Sequence, residues 1–160
     1  MRKVFAGLAG LLMLAVVAQF YLAASGAFST APHDESFRPH RTLGYVIFLL
    51  PVLMTIVAAV ARMPGRLIGM AGLVAGLAAV QAVIVAVAKA FNDTGDTSTT
   101  AGQLVFGLHA INGLAIMAVA VRVARQARAL SRPAVAGRRA GAGNDAEVSG
   151  PAAETAQPAS

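Results

Sequence analysis

The chain has 160 residues, 57% of them hydrophobic and only 12% charged, where a soluble domain carries roughly a quarter, so insertion into a bilayer is expected rather than a water-soluble fold. It contains no cysteine, which removes disulfides, iron–sulfur clusters and thiolate metal sites. The net charge of +6 suggests nucleic acid in a soluble protein, but here the position of the basic residues explains it better.

Four apolar runs are long enough to span a hydrocarbon core of about 30 Å, which takes about 20 helical residues. They are Val4–Ser25, Leu43–Ala61, Leu67–Ala90 and Ala101–Val121. Gln19 and Gln81 interrupt the first and third, His109 and Asn112 the fourth, and the second holds only Thr55 and the kink-former Pro51. With no tryptophan, Tyr21, Tyr45 and the phenylalanines are left to form any aromatic belt. A cleaved signal peptide is the rival reading of "MRK", the first apolar run and "AASGA". The length of that run and its repetition in the third span favour its retention.

Arg2 and Lys3 precede span one, Arg62 and Arg66 lie in the tight link "ARMPGRL", and Arg122, Arg125, Arg128, Arg132, Arg138 and Arg139 follow span four. These are ten of the thirteen basic residues. The positive-inside rule then places both termini in the cytoplasm of a multi-pass inner-membrane protein, with "STAPHDESFRPH" and "NDTGDTSTTAG" facing outward. Residues 1–130 form the transmembrane domain. Residues 131–160 are small, polar and Pro-containing, so a disordered cytoplasmic tail is expected. Its basic start can bind anionic head groups, but a simple topology anchor is the favoured reading.

The spans repeat. "AGLLMLAVVAQ" from Ala9 and "AGLVAGLAAVQ" from Ala71 align Gly10 with Gly72 and Gln19 with Gln81. Each following span carries His-x-x-x-Gly, as His40 with Gly44 and His109 with Gly113. The fold expected is therefore all-α, a four-transmembrane-helix bundle built from two tandem helical hairpins in a parallel repeat.

At about 1.5 Å per residue, Gln19, Gln81 and His109 fall in the outward half of the bundle, and His40 at the mouth of span two, where Pro39 suits a first helical turn. Polar groups in hydrocarbon normally face the bundle interior. On span four, Gly102, Phe106, His109, Asn112, Gly113 and Ile116 follow helical spacing and mark that inner face. On span three, Gly72 and Gly76 read most simply as helix packing. A neutral His109 bonded to Gln81 or Asn112, with His40 merely interfacial, is the bland alternative to a ligand pair. If Arg62 and Arg125 mark equal depths, His40 stands about 9 Å higher than His109, which argues against one shared ligand.

"PHRTLGYVIFLLPVL" resembles the second helix of the haem A synthase family, in which a His-Arg pair opens an apolar helix. "LAAVQAVIVAVAKAF" followed by "GLHAINGLAIMAV" resembles its third and fourth helices. The likeness covers about residues 5–125 and corresponds to one four-helix half of that family. The chain also resembles small uncharacterised four-helix integral membrane proteins of bacteria. The first resemblance implies axial haem ligation by His40 and His109 at the outer side. The synthase carboxylate before the helix-two histidine has only Glu35 as counterpart, five residues upstream with Pro39 between. Haem binding, not haem A synthesis, is therefore the expectation.

That expectation is b-type haem for electron transfer or redox sensing. Gln81 and Asn112 would orient an imidazole, Arg38 and Arg41 would pair with propionates, and His33 is the substitute ligand if His40 is not one. A haem-free bundle that serves as an accessory subunit or packs lipid or quinone is the alternative. No span holds an acidic residue for coupled transport, and no nucleophile, thiolate set or phosphate loop suggests a hydrolase or kinase. The partners expected are the lipid bilayer and an unidentified redox or membrane protein, not nucleic acid.

Overall fold

A computed structural model describes residues 1–92 and 99–131. The expected tail from residue 132 onward lies outside the described residues. The elements are α1 (Arg2–Ala27), α2 (His33–Ser36), α3 (Arg38–Val60), α4 (Gly65–Asn92) and α5 (Thr100–Ser131), with no strand among the described residues. The protein is an all-α bundle whose four long helices are each long and apolar enough to cross a membrane. The sequence reading holds for all four. It did not anticipate α2, a single turn in the link between α1 and α3, and α5 runs ten residues beyond its apolar run, to Ser131.

Local chemistry fixes the ends. Pro39 occupies the first turn of α3, where a missing N–H costs nothing. The α3–α4 link closes as a Schellman motif: Met63 N–H donates to the Ala58 carbonyl at 2.9 Å and Arg62 N–H to Ala59 at 3.0 Å. Arg62 holds the left-handed position of that motif, at φ 48°, where glycine is usual. Thr99 caps α5, its hydroxyl accepting from Gly102 N–H at 3.0 Å. Inside α3, Thr55 turns its hydroxyl back onto the Pro51 carbonyl at 2.7 Å. That hydroxyl is thereby satisfied within its own helix.

The helices form a closed ring. α1 packs against α3 and α5, and α4 packs against the same two, whereas α1 and α4, like α3 and α5, lie on opposite corners without backbone contact. The apolar core fills the half nearest the α3–α4 link. Phe5, Leu12, Met54, Leu67, Val74 and Val123 are fully buried there, with Ala9, Ala58, Ala71, Ala120 and Ala127 letting the backbones approach. Leucines such as Leu14, Leu49, Leu104 and Leu114 face outward, as lipid contact requires. The other half of the bundle holds the polar side chains.

Candidate functional site

The site is built twice. In the first hairpin, the Gln19 side-chain amide on α1 donates to the backbone carbonyl of His40 on α3 at 3.0 Å. In the second, the Gln81 amide on α4 donates to the backbone carbonyl of His109 on α5 at 3.0 Å. Each amide rests on the glycine one turn further along. A Cβ added to Gly44 would lie 3.5 Å from Gln19 Nε2, and one added to Gly113 would lie 3.5 Å from Gln81 Nε2. His-x-x-x-Gly is therefore half of a three-residue clamp. The glycine leaves room for a glutamine from the preceding long helix, which reaches the carbonyl of the histidine.

The rings differ. His40 Nδ1 lies 3.2 Å from the backbone carbonyl of Gln19. A carbonyl can only accept, so Nδ1 carries the proton. Nε2 then presents its lone pair and accepts from the Gln19 amide at 3.2 Å. His40 is thus neutral and fixed in one tautomer. His109 Nδ1 is buried with no partner among the described residues, as are Gln19 Oε1 and Gln81 Oε1. Such orphans are costly in an apolar surrounding, and all three gather in this one layer.

Although α3 and α5 stand at opposite corners, the two imidazoles meet across the bundle, with ring centroids 6.1 Å apart and planes at 51°. The expected 9 Å offset is therefore not seen. Arg125 was the wrong depth marker, because α5 continues past it. Counted from the helix ends, His40 lies 20 residues before Val60 and His109 lies 22 before Ser131. Metal–nitrogen bonds of about 2.0 Å leave two imidazoles on one metal with centroids roughly 6 Å apart, which is the spacing found here. No group of three or more His, Asp or Glu gathers among the described residues.

The remaining candidates fall around this pair. Asn112 donates not to a ring but to the Leu77 carbonyl of α4 at 2.8 Å, so Asn112 and Gln81 together lock α5 to α4 and set His109 through its backbone. Arg41 is held by Asp34, with Nη1 to Oδ1 at 3.1 Å. Arg38 is exposed, and its carbonyl accepts from Thr42. His33 stacks on Phe37 at 4.7 Å, and Phe37 stands edge-on to His40 at 6.2 Å. Phe106 lies parallel to His109 at 5.3 Å. Five rings therefore follow one another from the α1–α3 link across this layer of the bundle. Phe106 is half exposed, so it flanks His109 from the outside and is not part of the inner face to which its spacing assigned it. Of the two glycines of Gly72-x-x-x-Gly76, a Cβ added to Gly72 would lie 3.9 Å from Thr55 of α3, whereas one added to Gly76 would meet nothing within 4 Å.

Sequence inspection found both glutamines and both histidines but not the clamp. The same order in both hairpins, a glutamine followed on the next long helix by His-x-x-x-Gly, was the available signal.

Residues 19–88 match the model of a family of unknown function (DUF6220). That stretch holds Gln19, His40, Gly44 and Gln81 and ends before His109. It supports the resemblance to uncharacterised proteins. No curated protein and no solved structure matches the chain, and nothing found supports the resemblance to the haem A synthase family.

Proposed function

We propose that this membrane protein binds b-type haem in the polar half of the bundle, with His40 and His109 as axial ligands, for electron transfer or redox sensing. The observation that carries the reading is the pair of imidazoles, brought from opposite corners to a centroid spacing of 6.1 Å. The tautomer of His40 is the one ligation needs. Its Nδ1–H donates to the Gln19 carbonyl, and such a bond orients a ligating imidazole and raises its basicity. Gln19 would release only the hydrogen it gives to Nε2, because its bond to the His40 carbonyl is independent of the ring. Gln81 and Asn112 hold the α5 backbone on which His109 sits. Arg38 at the mouth of α3 is free of any carboxylate among the described residues and can meet a propionate, whereas Arg41 would first have to leave Asp34. Haem bound there would supply reversible one-electron chemistry, its potential tuned by burial and by these bonds.

A haem-free bundle, acting as an accessory subunit or packing lipid or quinone, is the second reading. The fact favouring it is that both ring nitrogens of His40 already have partners. Purification in mild detergent from haem-replete cells separates the two. The first reading expects a red protein with the sharp reduced bands of six-coordinate b-type haem. His109→Ala should abolish or sharply reduce its retention, and His40→Ala should leave at most a five-coordinate species. A colourless, folded wild type would establish the second reading. Loss on His109→Ala alone would point to a different partner, with His33 the next to test.

The same reading places the chain in the inner membrane with both termini cytoplasmic, because the basic residues crowd at the end of the α3–α4 link. Reporters fused after Ser160 and within residues 92–100 should report opposite sides. An outward C-terminus would reverse the orientation and move the histidines to the cytoplasmic half.

A further inference from the structure

At the basic end, a hollow of about 170 Å³ opens between α1 and α5, lined by Met13, Val121, Ala124, Arg125 and Arg128. Its floor is apolar and its rim carries two guanidinium groups one helical turn apart. Depth makes those charges unusual. Leu130 lines a second hollow together with Met1 and Arg2, so the end of α5 is level with the start of α1. Arg125 lies five residues above Leu130 and Arg122 eight, or about 7 Å and 12 Å along the helix. Both arginines are exposed, and the stretch of α1 beside them offers Leu11 and Leu14 to the surroundings. Charges at that depth must reach back to the interface or find an anion. Among the described residues the protein provides none. The carboxylates there are Asp34 and Glu35, in the loop at the other end of the bundle, and the one ion pair is Arg41 with Asp34.

We infer that this hollow is a binding site for an anionic phospholipid. Its phosphate would sit between Arg125 and Arg128, and the start of one acyl chain would lie along Ala124, Val121 and Met13. Charge complementarity selects the head group. The apolar floor that continues from the arginines into the bilayer selects a lipid over a free phosphate. From Arg128 to Val121 is seven residues, about 10 Å, which suits the upper part of an acyl chain and is far longer than an inorganic anion. The site is independent of haem binding, since it lies at the opposite end of the bundle from His40 and His109.

The full chain, delipidated in detergent, is titrated with phosphatidylglycerol, phosphatidylcholine or inorganic phosphate, and bound lipid is read by native mass spectrometry and by the thermal midpoint. Phosphatidylglycerol should bind in preference to phosphatidylcholine, at about one per chain, and raise the midpoint. Inorganic phosphate at millimolar concentration should neither raise it nor displace the lipid. Arg125→Gln with Arg128→Gln should weaken phosphatidylglycerol binding roughly thirtyfold. Lys3→Gln with Arg66→Gln, which removes the same charge at the same end but away from the hollow, should change it less than about threefold. Ala124→Trp, which fills the floor and keeps both arginines, should also weaken it. Equal losses in the two double variants would overturn the site in favour of a diffuse surface attraction. Equal binding of the two lipids, or competition by inorganic phosphate, would overturn the lipid assignment. Wild-type binding that appears only after removal of residues 132–160, which carry Asp145, Glu147 and Glu154, would make the chain's own tail the occupant.

Discussion

The two hairpins use one device to different ends. In α1–α3, Gln19 bonds both the backbone and the ring of His40, and the ring bonds back to the Gln19 carbonyl. The histidine is tied three ways to the glutamine that faces it. In α4–α5, Gln81 bonds only the backbone of His109, the ring nitrogen Nδ1 is left orphaned, and Asn112 adds a separate bond to Leu77. The first hairpin immobilises its ring. The second immobilises its helix and leaves its ring uncommitted. The two hairpins thus share the clamp, which holds helices together, while their imidazoles are held differently. The core shows the same division, with its large buried side chains concentrated in the half near the α3–α4 link and the polar layer left to define the other half.

The comparison breaks most visibly at the glycines. A Cβ at Gly44 or Gly113 would make ordinary contact with the glutamine at 3.5 Å, and alanine is the better helix former. Gly44→Ala and Gly113→Ala should therefore leave the unfolding midpoint in detergent unchanged or slightly raised. Leucine reaches further and has to expel the glutamine. Gly44→Leu and Gly113→Leu should each destabilise by about 1–3 kcal/mol. Gly113→Leu should be the worse, since Phe20 also lies 3.6 Å from its added Cβ. Two leucine variants as stable as wild type would mean that the glutamines are not held in these notches.

The clamp explains what the sequence could and could not reveal. The spans, the Gln–His repeat and the first turn of α3 at Pro39 were readable, because each depends on composition, spacing or a residue with one conformational use. The meeting of His40 and His109 was not readable from depths measured at Arg125, because that arginine does not mark the end of α5: the helix runs on to Ser131. Helical spacing put Phe106 on the inner face of α5, but a stripe that wide includes flanking positions, and the structure sets Phe106 on the outer side of His109. Which glutamine atom meets which histidine atom depends on helix pairing around the ring, and periodicity along one helix carries no information about that.

Removing the glutamines tests the asymmetry more gently. Hydrogen bonds between membrane helices average about 0.6 kcal/mol and reach about 1.7 kcal/mol. Gln19→Leu removes two donated bonds and leaves the His40 ring lone pair unpartnered, so it should cost roughly 1–2 kcal/mol. Gln81→Leu removes one and should cost about half as much, because Asn112 still joins α5 to α4. In the haem-free protein His40→Ala should likewise cost more than His109→Ala, since only the His40 ring is hydrogen-bonded to a neighbouring helix, α1. Reversible unfolding in mixed micelles gives the order. If Gln81→Leu proves the costlier, the second hairpin depends on its clamp more than its extra bond suggests.

The smallest quantity is the most discriminating. Gln19 and Gln81 sit on α1 and α4, the two long helices at opposite corners that share no backbone contact, and neither side chain bonds to the other hairpin. If the clamps serve only their own hairpins, the costs of Gln19→Leu and Gln81→Leu should add to within about 0.5 kcal/mol in the double variant, as separated sites do. If the meeting of His40 and His109 makes the layer one unit, the double variant should depart from additivity by more than that. The cycle is best measured with and without haem supplied during expression. Additivity without haem and coupling with it would place the communication between the hairpins in whatever bridges the two imidazoles, since Gln19 and Gln81 each bond only within their own hairpin among the described residues.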